Sequence, residues 1–461
     1  MTVYIGRILR GKEYYSSKKL GAFGSDLGAV ACFFAIPWSR VSPAITDAAQ
    51  AWLLNAAAFR LRALGRLTEA LEPMRVSGAM DVKVEQWEGA AISRSNLSEL
   101  TLGEVASAVR DAEQSVTYAD RSGDAFERMS DRTTWADALH QAGSGLGFPP
   151  ESATGSRSGE LFREAEQMQA ERQPKYPLLY SLRGYRYCDL LLAEAERAAW
   201  QATLDCGSLL PLWASQPAAN AVGAMTKLPM TAKPTGDEAL SQSDASGLAT
   251  ESGSGLPQSK TLHAVIQRAT QTLKWATDAR LGLLTIALDH LTLGRAALSA
   301  AILNSADISN LESQMSDFQL QLGAAHSEID QAVSGLRRAG SQDHIPRGLL
   351  TRAWLRSLCG VHTGPDSAQS DLDEAWEIAE RGPMPLFLAD IQLYRARLFG
   401  GLAVRHVSIV PSTMETCPTY PWTSPQHDLA EARRLIEKHG YGRRKEELET
   451  TEHALLKSKG T

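Results

Sequence analysis

The chain has 461 residues, and a prior of about 150 residues per domain predicts roughly three domains if they are ordinary ones. Hydrophobic residues at 43% and charged residues at 22% exclude wholesale disorder, and a net charge of −6 argues against a polybasic nucleic-acid binder. Five cysteines with no close pair exclude a disulfide scaffold and fit a reducing, cytoplasmic compartment.

The first 44 residues form an irregular, apolar-rich segment without a clean pattern, expected to be helical. The chain could therefore be a fragment of a longer protein. Gly6 to Glu13 (GRILRGKE) fits G-x-x-x-x-G-K but ends in Glu. A phosphate loop needs a hydroxyl there for magnesium, and an acid would repel phosphate. The residues are expected to form a turn with basic side chains near solvent. The longest apolar run, residues 27–37 (LGAVACFFAIP), is far short of the roughly 20 residues of a membrane span. It reads as a buried helix, so no membrane association is expected.

From residue 45 a pattern recurs. A small residue is followed four positions later by a larger apolar one and three later by another small one. Ala70–Met74–Ser77, Ala108–Ala112–Ser115, Ala269–Leu273–Ala276, Ala325–Ile329–Ala332 and Ala368–Leu372–Ala375 carry it, with Phe162–Ala165 as a partial copy. These spacings put all three residues on one helix face, where small side chains let a neighbouring helix approach. A second helix lies upstream, separated by a glycine. Residues 52–64, Gly65 and residues 68–77 make the first unit. Residues 92–102, Gly103 and residues 105–115 make the second, and residues 135–142 with Gly143 open the third. Gly65 suits the left-handed end of a helix. The glycines recur at a period near 40.

Three breaks interrupt the units. Residues 144–161 are rich in Gly, Ser and Pro and predict a surface loop. Residues 207–260 are about one-third Gly, Pro or Ser and lack Arg, Phe, Tyr and Ile, which predicts a mostly disordered insertion. Residues 401–427 form a Pro-rich loop in which Trp422 either hangs free or packs on the array. Repeats therefore occupy 45–206 and 261–400, and the charged residues 428–461 read as C-terminal capping helices.

This helix–turn–helix unit resembles the tetratricopeptide repeat (TPR). Leu54, Ala57, Ala58 and Leu61 fall on the first-helix signature of that family, and Ala70, Met74 and Ser77 on the second. Leu182, Gly184 and Tyr187 are an approximate Leu-Gly-Tyr copy. The long, loose period looks like the sensor arrays of bacterial STAND signalling ATPases, which carry NACHT or NB-ARC modules. The resemblance implies an all-α, right-handed solenoid of six or seven helix pairs with disordered insertions. It implies a protein-interaction scaffold that binds a peptide or partner protein in its concave groove. The alternative is a sensor or regulatory piece of a larger ATPase whose nucleotide module lies elsewhere. In the family's register the groove is lined by Asn55, Phe59, Arg62, Ser93, Asp137, His140, Tyr185 and Asp189.

The remaining candidates predict no chemistry. No His pair has zinc-hydrolase spacing, no Cys pair has zinc-finger spacing, and no nucleophile elbow occurs. Asp289 and His290 are adjacent, so on a helix they point apart. Cys32, Cys188 and Cys359 read as small core residues. Arg443, Arg444 and Lys445 are answered by Glu446, Glu447 and Glu449, which predicts a solvated, self-paired face rather than a nucleic-acid contact. Trp52, Trp135, Trp354 and Trp376 fall at repeat positions and read as core. No enzyme activity, cofactor or metal is expected, and the oligomeric state is left open.

Overall fold

Small residues four and three apart should pack one helix of each unit tightly on its neighbours. The computed structural model describes residues 1–143, 156–205, 257–305, 311–400 and 422–457. Those residues are overwhelmingly α-helical. The N-terminal segment contains a π-helical turn (Tyr4–Ile8), a short α1 (Tyr15–Lys18), α2 (Phe23–Ala31) and a hairpin of β1 (Phe34–Ile36) with β2 (Arg40–Val41). The hairpin is antiparallel, with Phe34 opposite Val41. Residues 2–8 are helical and no strand precedes Gly6, so the glycine motif is not set up as a phosphate loop. Tyr4 and Arg60 both bond the buried Asp26, at 2.8 and 2.6 Å, and tie this segment to the first long helix.

Helices then pack in sequence as pairs. The first pair is α3 (Asp47–Ala63) with α4 (Leu67–Lys83), and the second α5 (Trp87–Leu100) with α6 (Val105–Ser122). The third is α7 (Ala125–Ala142) with α8 (Arg157–Arg172), and the fourth α9 (Ser181–Asp205) with α10 (Pro257–Asp278). Next come α11 (Leu283–Ser305) with α12 (Leu311–Ala339), and α13 (Ile345–Leu358) with α14 (Ala368–Arg381). The last are α15 (Pro385–Gly400) with α16 (Pro425–His439), followed by α17 (Lys445–Lys457).

Each small-residue triplet falls on the second helix of a pair: α4, α6, α8, α10, α12 and α14. Their small members are buried to 1% exposure or less, Ala70, Ala108, Ala165, Ala269, Ala325 and Ala368 among them. That burial is why the pattern repeats, because a larger side chain there would push the neighbouring helix away. Gly65 closes α3 at φ +73°, which a side chain resists. Helix starts are fixed locally. Asp124 accepts from the N–H groups of Phe126 and Glu127, and Ser367 forms a reciprocal cap with Ser370.

The largest core runs from α9 to α15 and is centred on Trp200 stacked on Trp354, with ring centroids 3.9 Å apart. Trp422 does pack on the array: its indole N–H donates to Asp373 at 2.7 Å and its ring meets Trp376 edge-on. Helix α11 is long and apolar enough to cross a membrane by composition, but it is mostly buried inside the protein. Cys188 is buried and Cys359 partly so, whereas Cys32 is exposed at the end of α2 and is not the core residue expected of it. The proposed insertion lies outside the described residues up to residue 256, and residues 257–260 already belong to α10. Likewise the Pro-rich loop lies outside them up to residue 421, and α16 begins at Pro425, inside the range read as loop.

Turns far apart in the chain meet. The Gln342 N–H, just before α13, donates to the carbonyl of Ala63 at the end of α3 at 2.7 Å. His439, at the end of α16, bonds the carbonyl of Gly103. A Cβ on Gly143 would lie 2.6 Å from the backbone nitrogen of Arg443, so the turn between α16 and α17 presses on the end of α7.

Candidate functional site

The first helix of every pair contributes to one central cavity of about 140 Å³. Helix α3 supplies Arg62, α5 Glu99, and α7 Asp137 and Gln141. Helix α9 supplies Tyr185, Asp189 and Glu196, which lie four and seven residues apart on one face. Arg295 comes from α11, Arg347 from α13, and Phe387, Asp390 and Tyr394 from α15. The last turn adds Tyr441, Arg443 and Arg444. Among the described residues of the second helices, Leu67, the first of α4, lines it.

The charges alternate. Asp189, 2% exposed, accepts from Arg443 at 2.5 Å and from Arg295 at 2.7 Å. Burial would raise its pKa, but the guanidinium groups of Arg443, Arg295 and Arg347 outweigh it and hold the carboxyl well below the usual range. His140 stands 3.8 Å from the same carboxylate. Burial, reinforced by Arg443, pushes its pKa well down, so the imidazole is neutral and acts as packing rather than as a cation. Arg295 also forks onto Glu196 at 2.7 and 2.8 Å. Arg444 bonds Asp390 at 2.8 Å and Glu447 at 2.5 Å. Arg62 reaches Glu99 and lies 3.5 Å from Asp343. Burial would raise Asp343, yet His344 and Arg62 bring its pKa to about 2. Arg186 pairs with Glu99 and, at 3.3 Å, with Asp137.

Arg347 differs from these five arginines. Among the described residues no acid lies within ion-pair distance of it. Its guanidinium carbon sits 5.3 Å from the ring centre of Phe387 and 5.8 Å from that of Tyr185. Burial opposes its charge, but the fields of Tyr185, Asp189 and Asp137 more than offset this and its pKa is raised.

Of the residues placed in the groove by register, Arg62, Asp137, Tyr185 and Asp189 line this cavity together. The other four do not. His140 lies behind Asp189, while Asn55 donates to Ser93 at 2.9 Å and Ser93 contacts Ser77, all between helices. Phe59 packs on Phe23 and under Arg62. Asp289 and His290 do point apart, to Thr272 and Glu328 respectively.

Sequence reasoning missed Arg295, Arg347, Arg443 and Arg444. The basic run at 443–445 was expected on a solvated face, but Arg443 is 8% exposed and both arginines turn inward. Only the Arg444–Glu447 pair is the local one foreseen. Arg295 did leave a signal, as the lone arginine inside a helix apolar enough by composition to cross a membrane, where an unpaired charge would be too costly. Chemically, the arrangement is a mixed-charge chamber with aromatic walls. Comparison with protein-family models and with curated proteins finds no match.

Proposed function

We propose that this chain is a TPR-like interaction protein, a right-handed superhelical array that receives a peptide or partner protein on its concave side. The observation that carries this reading is the convergence of the first helices of all the pairs on one polar cavity. Polar and charged inner positions suit a ligand whose own polar groups need partners, whereas the apolar, small positions are used up between helices. The free cysteines Cys188 and Cys359 fit a reducing, cytoplasmic setting. No catalytic role is assigned to the cavity.

A second reading, a sensor element of a larger signalling ATPase, draws on the last turn of the chain. Arg443 and Arg444 bind Asp189 and Asp390 on inner helices, so an occupant of the cavity would touch the contacts that hold the C-terminal unit. Site-specific photo-cross-linking in the native host tests the first reading. A photoreactive residue at Phe387, on the cavity wall, should capture a defined partner that the same residue at exposed Leu320 does not. Identical adducts from both positions, or none from Phe387, would refute it.

A further inference from the structure

We infer that the central cavity is a binding site for a small organic monocarboxylate, held by Arg347. It concerns the same cavity as the proposed function, but needs no partner protein.

Arg347 is a guanidinium built into the wall of a cavity and left without an acid. Among the described residues the five other arginines there, Arg62, Arg186, Arg295, Arg443 and Arg444, each meet one or two carboxylates. Its flanks are occupied by Tyr185 and Phe387, and no described residue takes its N–H edge. A planar fork with an open edge matches a carboxylate through two parallel hydrogen bonds. The flanking rings, with Leu182, Leu350 and Leu386, offer apolar surface beside that edge.

Charge decides between anions. Six lining arginines face six lining acids: Glu99, Asp137, Asp189, Glu196, Asp343 and Asp390. The other five arginines share all six acids in ion pairs, so the charges balance and only the fork of Arg347 is left open. A dianion such as a phosphate ester would turn its second charge toward Asp137 and Asp189, whose fields already reach Arg347. A monocarboxylate brings the smaller charge and so the smaller cost. Size sets the rest. One water needs about 10–15 Å³ of such space, so about 140 Å³ admits on the order of ten heavy atoms. That is a free acid of roughly the size of benzoate.

The test is calorimetric titration of the full chain with benzoate, benzamide, phenylphosphonate and a short peptide with a free C-terminal carboxylate. Benzoate should bind saturably and at least about tenfold more tightly than benzamide, because charge-assisted bonds are lost in the amide. Phenylphosphonate at about pH 8, as the dianion, should bind more weakly than benzoate. Arg347→Met should abolish the preference for benzoate over benzamide, and Arg347→Lys, which keeps the charge but not the fork, should reduce it. Equal binding of benzoate and benzamide to the wild-type chain would overturn the inference without relying on any variant. So would tighter binding of the phosphonate, binding of the peptide end alone, or an unchanged preference in Arg347→Met.

Discussion

Replacing Arg443 by Met should destabilise the protein in a way that acid partly repairs. The substitution keeps side-chain length and removes one of the two guanidinium groups on Asp189. Breaking a buried ion pair costs about 3–5 kcal/mol. Asp189 keeps Arg295 at 2.7 Å, so the lower end, about 3 kcal/mol, applies. His140 then becomes decisive. In the wild type, burial and then Arg443 hold it neutral. Without Arg443 the imidazole loses a repelling cation while Asp189 remains 3.8 Å away, so its pKa must rise above the wild-type value. Between those two values the variant binds a proton in the folded state that the wild type does not. The stability difference therefore shrinks as pH falls through the variant's His140 pKa. The loss should therefore be smaller at about pH 5 than at about pH 8. Urea unfolding of both proteins at about pH 5 and about pH 8 measures this. Adding His140→Gln should remove the acid repair while leaving the loss at about pH 8. An equal loss at both pH values, or a loss below about 1 kcal/mol, would refute the charge assignment.

Two further outcomes follow from buried groups away from the cavity. Burial raises Asp289 to about 7, only partly offset by the hydrogen bond from Thr272. A raised carboxyl pKa favours the protonated fold, so its contribution is favourable below the unfolded value near 4 and is lost as pH rises toward 7. Asp289→Asn, which keeps an acceptor for Thr272, should gain about 2–4 kcal/mol at about pH 8 and little at about pH 4; a pH-independent effect in urea melts would contradict this. Trp200→Ala should cost about 3–5 kcal/mol, since Trp200 is 3% exposed and stacks on Trp354. A urea midpoint corresponding to less than about 1 kcal/mol would show that the stack contributes little, and Trp200→Phe should recover part of the loss.

Local codes were legible in the sequence, and distant closures were not. The triplet Ala325–Ile329–Ala332 marks a helix face by spacing alone, and its burial at 0% exposure follows from the same spacing. Gly65 marks a helix end because few other residues tolerate φ +73°. Tyr185 and Asp189 were placed on the inner side by register. Their partners could not be, because Arg443 meets Asp189 across 254 positions of chain and Arg295 meets it across 106. A run of Arg, Lys and Glu has the same local pattern whether solvent or a distant acid completes it.

Contacts between turns far apart in the chain change how the outer pairs can come loose. A linear stack of repeats frays from two ends, and the outermost unit always has one neighbour. Here the end of α3 is bonded to Gln342, in the turn that opens the sixth pair, and the end of α16 to Gly103, in the turn of the second pair. Peeling either outer pair from the stack must therefore break a distant bond as well as the interface with its neighbour in sequence.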